Sequence, residues 1–246
     1  MAIKPNFTRK KKRKKHGESF WDAEYNNPEH LKLSIKPSED LEKFTRWVAR
    51  RKREDILSPE ANVLDVGCGN GRNLIFLAVN FGNKGIGYDF SKTAIQQAIT
   101  MSQNLPIKYK ARSIAGNLDV EDNSQNLVLD MMTSHFLNKE ERFSLREEIF
   151  RALKPGGFLF MKTFLKDDDL HTARLLKDHP GDEDGSYVHP IMGVPEYVYS
   201  EEELVKTLSE RFIIHKIYRS HKHAFRGRAR KRRTITIYAE KDFYEE

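Results

Sequence analysis

The segment Val63-Leu-Asp-Val-Gly-Cys-Gly-Asn-Gly-Arg72 places three glycines, Gly67, Gly69 and Gly71, directly after an apolar run. Bare backbone at alternate positions lets the chain turn tightly out of a strand. It also brings the amides against a ligand and opens the next helix at its electropositive end. Asp89, in Gly87-Tyr-Asp-Phe-Ser91, follows about twenty residues on from this loop, where a carboxylate can accept both hydroxyls of a ribose. Together these features point to a nucleotide-like ligand; without one, the same residues would make a tight turn and a helix cap. A dinucleotide fingerprint spaces its glycines G-x-G-x-x-G, whereas this loop reads G-C-G-N-G, which disfavours a nicotinamide cofactor and the oxidoreductase reading.

Such a loop needs a scaffold, and the pattern around it supplies one. The spacing predicts a short helix over 20–25 and a longer one over 38–53, with Ser38 as its cap and Leu41, Phe44, Trp47 and Val48 on one face. Strand 62–66, helix 72–81, strand 84–88, helix 91–103, strands 107–110 and 126–132, helix 139–153 and strand 157–164 follow. Strands alternating with helices predict an α/β fold with a parallel sheet covered on both faces. Lys154-Pro-Gly-Gly157 reads as a helix stop and turn. Residues 165–199, with Asp167 to Asp169 and Pro180-Gly-Asp-Glu-Asp-Gly185, break the rhythm and are a candidate substrate lid. Ser200 and Glu203 form a capping-box pattern, and 212–220 and 234–239 alternate like two paired strands.

With 246 residues, 38% apolar and 32% charged, the chain suits one folded domain, 18–246, preceded by a disordered basic arm, 1–17. The net charge of +7 is concentrated in two runs, seven charges from Arg9 to Lys15 and six from Arg226 to Arg233, so the rest of the chain is net negative. Such runs are solvated tails or tips, or they contact nucleic acid; in a eukaryote the first also suits nuclear import. A single cysteine, Cys68, excludes an internal disulfide and a multi-cysteine metal site, and it agrees with a reducing, cytoplasmic setting. No apolar run has membrane-span length, so no membrane association is expected. The Asp167 to Asp169 run reads as a solvated loop, and no metal site is expected.

In order and spacing, VLDVGCGNGRN (63–73), GYDFS (87–91), DNSQNLVLDM (122–131) and LKPGGFLFMK (153–162) resemble the class I S-adenosylmethionine-dependent methyltransferases, over roughly 40–240. The resemblance implies a Rossmann-like, seven-stranded, mostly parallel sheet with an antiparallel last strand, and S-adenosyl-L-methionine as cofactor. It implies that Asp65, Gly67, Gly69 and Asn70 line the methionine half, that Asp89 holds the ribose, and that Phe90 lies against the adenine. Asp130, Met131 and Met132 would face the methyl group. The sequence departs from the family where Ile114 stands in place of an acidic residue, so the adenine amino group would rely on backbone near Ile114.

Methyl transfer from a sulfonium is governed by positioning, with proton removal where the nucleophile needs it. His135 is the candidate general base, or else a structural histidine at a strand end; Thr133 and Ser134 are candidates to bind the acceptor. Cys68, inside the glycine loop, is badly placed as the nucleophile that pyrimidine C5 methylation needs. DMMT stands where methyltransferases of exocyclic amino groups resemble one another in an Asn/Asp-Pro-Pro-Tyr/Phe motif, so that chemistry is disfavoured. In the lid, His189, Glu196 and Tyr197, with Tyr199, are candidates to close over a substrate. In the implied topology the hairpin 221–233 emerges at the ligand-binding edge, which makes Arg226, Arg228 and Arg232 candidates to hold an anionic acceptor, either a small molecule or RNA. Trp21 and Tyr25 either cover the cofactor or anchor the core. The alternative function is a non-catalytic RNA-binding module that keeps the fold.

Overall fold

The structure is a computed structural model, described for residues 17–30, 33–221, 224–225, 228–229 and 231–242. The basic arm, apart from Gly17, lies outside the described residues, as do His223, Arg226 and Arg230; for Arg228 only the backbone is described. In chain order the elements begin α1 (Gly17–Asn26), α2 (Glu39–Arg50), β1 (Asn62–Val66), α3 (Arg72–Phe81), β2 (Lys84–Asp89), α4 (Lys92–Met101), β3 (Ile107–Ala111) and β4 (Gln125–Met131). A 3-10 turn, Ser134–Phe136, leads to α5 (Lys139–Ala152), β5 (Leu153–Phe164), α6 (Leu170–Asp178), β6 (Ser186–Val188) and β7 (Pro195–Tyr197). The chain continues through α7 (Glu201–Ser209), β8 (Phe212–Arg219), β9 (Ala224–Phe225), β10 (Arg228–Ala229) and β11 (Thr234–Lys241).

One seven-stranded sheet has the order β3-β2-β1-β4-β5-β11-β8. β1, β2, β3, β4 and β5 pair in parallel, while β11 runs antiparallel to both β5 and β8. The strand order reverses between β1 and β4, and ligands of open α/β sheets bind outside the carboxyl ends of the strands at such a reversal. The side chains of β4 divide between the two layers as a period of two demands: Leu127 and Leu129 join the α2 and α3 side with Phe44, Trp47 and Phe160, and Val128 joins the α5 and α7 side with Leu145 and Leu204. Phe44 is fully buried, with ring centroids 4.9 Å from Tyr238 and 5.2 Å from Phe160. Truncating a side chain so placed costs about 3–5 kcal/mol.

Three local expectations are revised. β5 begins at Leu153 and not at 157: Lys154 to Gly157 forms an irregularity within the strand, where β4 pairs Gln125 with Leu153 and then Leu127 with Phe158. Ser38 precedes α2 without a side-chain cap, and its N–H goes to Asn73 Oδ1 at 3.2 Å. Ser200 Oγ does accept the Glu203 N–H at 3.1 Å, but the Glu203 carboxylate takes the Tyr197 hydroxyl. The segment 165–199 contains α6 and the β6/β7 hairpin, joined by a small apolar cluster of Leu175, Tyr187 and Val198.

Candidate active site

The glycine loop crosses the carboxyl end of β1. Gly67, Gly69 and Gly71 have φ values of +78°, +54° and +76°, the left-handed region that favours glycine. The loop is tied to β2 by the N–H groups of Gly67 and Cys68, which both donate to Tyr88 O at 2.7 and 2.9 Å. Asp89 completes the tie, with Oδ2 accepting Gly69 N–H and Oδ1 accepting Ser91 N–H, each at 2.9 Å. A carboxylate has about four acceptor positions, so Asp89 keeps lone pairs for two further donors, as a ribose diol requires. Burial pushes its pKa up despite these hydrogen bonds.

Asp65, at 1% exposure, has no hydrogen-bond partner for either carboxylate oxygen among the described residues. Burial, with Asp89 and Asp130 adding to it, pushes its pKa up to about 8. A buried acid left without donors beside a bare-backbone cradle fits a cationic group, such as the ammonium of an amino-acid moiety. Phe90 remains partly exposed at the end of β2, open to a flat ring, while Ile114 is buried in the core layer after β3.

Other candidate residues serve the cradle indirectly. Asn70 Nδ2 donates to Ser34 O at 3.2 Å and holds the segment before α2. Thr133 packs against Gly67, where a Cβ would run into its side chain, and its Oγ1 faces Met131 O at 3.3 Å. Met131 Sδ meets Asn73 Nδ2 at 3.3 Å. The expected outlook of Asp130 on the methyl group is corrected. Its Oδ1 accepts Ser134 N–H at 3.1 Å, and the side chain lines a separate cavity of about 30 Å³ with Tyr199, Leu204 and Leu208. Burial pushes its pKa up to about 6.

Helix α1 roofs this edge. Asp22 Oδ1 accepts Ser91 Oγ–H at 2.7 Å and Thr93 N–H at 3.1 Å, which places an anion at the electropositive start of α4. Gln97 Nε2 donates to Tyr25 O at 2.6 Å. Tyr25 thereby lies over Gly69, where a Cβ would strike its hydroxyl, and Trp21 packs edge-on to Phe136 at 5.3 Å.

Beside the cradle lies a cavity of about 460 Å³, lined by residues of α1 with the segment that follows it, the turn after β4, the end of β5, the β6/β7 hairpin and the segment before β11. Met132, His135, His189, Glu196 and Arg232 all line it. His135, 1% exposed, lies tilted against Phe136 at 4.1 Å and edge-on to Phe164 at 5.0 Å, and burial lowers its pKa to about 4. Neither of its ring nitrogens has a partner among the described residues. His189 Nδ1 accepts the N–H groups of Ile191 and Met192 at 3.3 and 3.2 Å, so this nitrogen carries no proton and orders the β6/β7 turn.

Two expectations for the lid change. Glu196, 1% exposed, forms an ion pair with Arg232 and accepts the Tyr187 hydroxyl at 2.5 Å, so it holds Arg232 instead of offering itself to a substrate. Tyr197 faces the other layer, under the Arg142 guanidinium at 3.7 Å. Phe164, Tyr187 and Asp22 play parts that the sequence reading missed; as single aromatic or acidic residues they carry no spacing signal. Among the described residues, no group of three or more His, Cys, Asp or Glu is placed to hold a metal ion, and no helix is long and apolar enough to cross a membrane.

The site is a glycine loop at the strand reversal of a Rossmann-like sheet, beside a partly open cavity of about 460 Å³. Residues 63–157 match the family described as a methyltransferase domain. A solved structure of a SAM-dependent methyltransferase from Methanosarcina mazei is 26% identical, with a TM-score of 0.64 over 76% of this chain and 95% of that one. The carboxy-S-adenosyl-L-methionine synthase of Actinobacillus succinogenes is 29% identical over 130 residues, 50% of this chain and 53% of that protein. The tRNA (carboxymethyluridine(34)-5-O)-methyltransferase of Arabidopsis thaliana is 26% identical over 148 residues, 60% of this chain and 34% of that protein. The chain spans about half the length of the first curated relatives it matches. Residues 63–157 thus carry a methyltransferase domain, and the chain is similar in sequence and fold to S-adenosylmethionine-dependent methyltransferases.

Proposed function

We propose that the chain transfers the methyl group of S-adenosylmethionine to an acceptor that carries an anionic group and enters the cavity under the lid. The observation that carries this reading is a set of four buried polar atoms, on residues lining that cavity, without partners among the described residues: His135 Nδ1 and Nε2, and Arg232 Nε and Nη2. Each such atom costs about 1–3 kcal/mol while unpaired, so several lining one cavity suit a bound guest better than the empty protein.

The cofactor supplies an activated methyl on a sulfonium, and the chain's residues have only to hold and orient. Asp65 and the glycine loop take the amino-acid half, Asp89 the ribose and Phe90 the adenine. Tyr25 and Trp21 exclude water from above. His135 is neutral at neutral pH, and its weak basicity suits it to hydrogen bonding or to an acceptor that needs no strong base. A cavity of this size admits a small molecule or one protruding group of a larger one. The basic runs at Arg9 to Lys15 and Arg226 to Arg233, together with the relative that acts on tRNA, favour RNA among larger acceptors.

Calorimetric titration with S-adenosylmethionine, S-adenosylhomocysteine and NADH is the first test, followed by transfer of a tritiated methyl to total RNA and to a small-molecule extract. Binding of the first two ligands but not NADH, with label in either fraction, is the expected result. Failure to bind either sulfur nucleoside while RNA is retained would replace this reading with a non-catalytic RNA-binding module.

A further inference from the structure

We propose that the acceptor's anionic group is a carboxylate gripped side-on by Arg232, and that Glu196 and Tyr187 are the positioning residues that set this preference over phosphate. The proposal rests on the acceptor cavity assigned above and names the chemistry of its guest. Arg232 is held from three directions. Its Nη1 is committed to Glu196, its guanidinium lies 3.2 Å from the centroid of the Phe164 ring, and the Tyr187 ring stands 5.2 Å away. Tyr187 in turn donates its hydroxyl to Glu196 Oε2 at 2.5 Å, which fixes the carboxylate that fixes the arginine. The atoms left over are Nε and Nη2, both buried and both without a partner among the described residues. These two N–H groups lie along one side of the guanidinium and point in parallel, at the spacing of the two oxygens of a carboxylate.

Charge favours the same guest. Burial pushes the pKa of Glu196 up, but the Arg232 charge outweighs it, with His135 and the Tyr187 hydroxyl adding to the effect, and holds the group below its ordinary value. Glu196 is therefore ionised at neutral pH and already cancels the charge of Arg232. His135 and His189 add no positive charge, because burial lowers both. The remaining titratable groups lining the cavity among the described residues are Glu29 and His30. A carboxylate on the free side of Arg232 adds one negative charge to this group, whereas a phosphate dianion adds two beside Glu196 in a poorly solvated space. His135 lines the same cavity, and neither of its ring nitrogens has a partner among the described residues. Nε and Nη2 are closed to solvent, so a guest that reaches them displaces the side chains packed over Arg232.

The test uses the full chain saturated with S-adenosylhomocysteine and titrated with phenylacetate, phenylacetamide and phenyl phosphate, followed by calorimetry and by NMR. Phenylacetate is expected to bind about tenfold or more tighter than its uncharged amide, with phenyl phosphate weaker than phenylacetate. Arg232→Lys keeps the positive charge beside Glu196 and loses the paired donors. It should weaken phenylacetate about tenfold while the melting temperature and S-adenosylhomocysteine affinity stay level. Glu196→Gln should narrow or reverse the preference over phosphate. Equal binding of acid and amide, tighter binding of phosphate by the native chain, undiminished phenylacetate binding in Arg232→Lys, or no phenylacetate binding at all would each overturn the proposal. If S-adenosylhomocysteine itself fails to bind, the methyltransferase reading falls, and the same titrations on the cofactor-free chain still decide the carboxylate.

Discussion

Replacing Asp65 with asparagine should stabilise the cofactor-free protein and at the same time weaken its hold on the cofactor. Both oxygens of Asp65 are without partners among the described residues, and burial, with Asp89 and Asp130 nearby, pushes its pKa from 3.8 up to about 8. The folded chain therefore keeps a proton that the unfolded chain releases across that window. Stability falls as pH rises, by roughly 1.4 kcal/mol for each pH unit between the two values. By pH 7 the loss from this one group reaches roughly 4 kcal/mol, and it levels off above the folded pKa. Asparagine mimics the protonated acid and carries no such slope. Urea midpoints of the native protein and of Asp65→Asn, both without cofactor, should separate progressively from about pH 4 to about pH 8, with the variant the more stable. Asp130, raised to about 6, contributes a slope of the same sign to both proteins, so the difference between them isolates Asp65. A cation bound beside Asp65 restores its charge, so cofactor binding at neutral pH should release a proton, visible as buffer-dependent heat, and the variant should lose that release. Parallel pH profiles for the two proteins would refute the buried, partnerless assignment of Asp65 and the fit of the cradle to a cationic group.

Asp89→Ala removes the acceptor of Gly69 N–H and Ser91 N–H and should reduce S-adenosylhomocysteine affinity at least about tenfold by calorimetry; unchanged affinity in a folded variant would sink the ribose assignment. Gly67→Ala forces a side chain onto φ +78° and into Thr133, and should lower stability by about 2–3 kcal/mol in urea unfolding. Asp22→Ala frees the Ser91 hydroxyl and the start of α4, so α1 should exchange its amide hydrogens faster while the rest of the sheet keeps its protection.

The fold was largely legible because its signals are local and repeated. The alternation in β4 sorts its residues between two layers, and Ser200 marks the start of α7 by its own chemistry. Where two local signals competed, the reading slipped. Pro155 and the two glycines after it look like a turn, yet the pairing of Gln125 in β4 with Leu153 carries the strand back to Leu153. The glycine loop and Asp89 were legible as neighbours because both close onto the same strand ends, and the structure joins them through Gly69 N–H.

The acceptor cavity was less legible, for a physical reason. Its lining comes from five places in the chain, and the residue that orients Arg232 lies 36 positions earlier, in the lid. A carboxylate in a lid sequence suggests direct contact with a cationic or hydroxylated substrate. Only the closed sheet shows that Glu196 spends its charge on an arginine, and so turns a basic residue that could have met any phosphate into a directional pair of donors. In the proposed carboxylate site, specificity is set less by how many positive charges the hairpin carries than by which two N–H groups of Arg232 have no partner among the described residues.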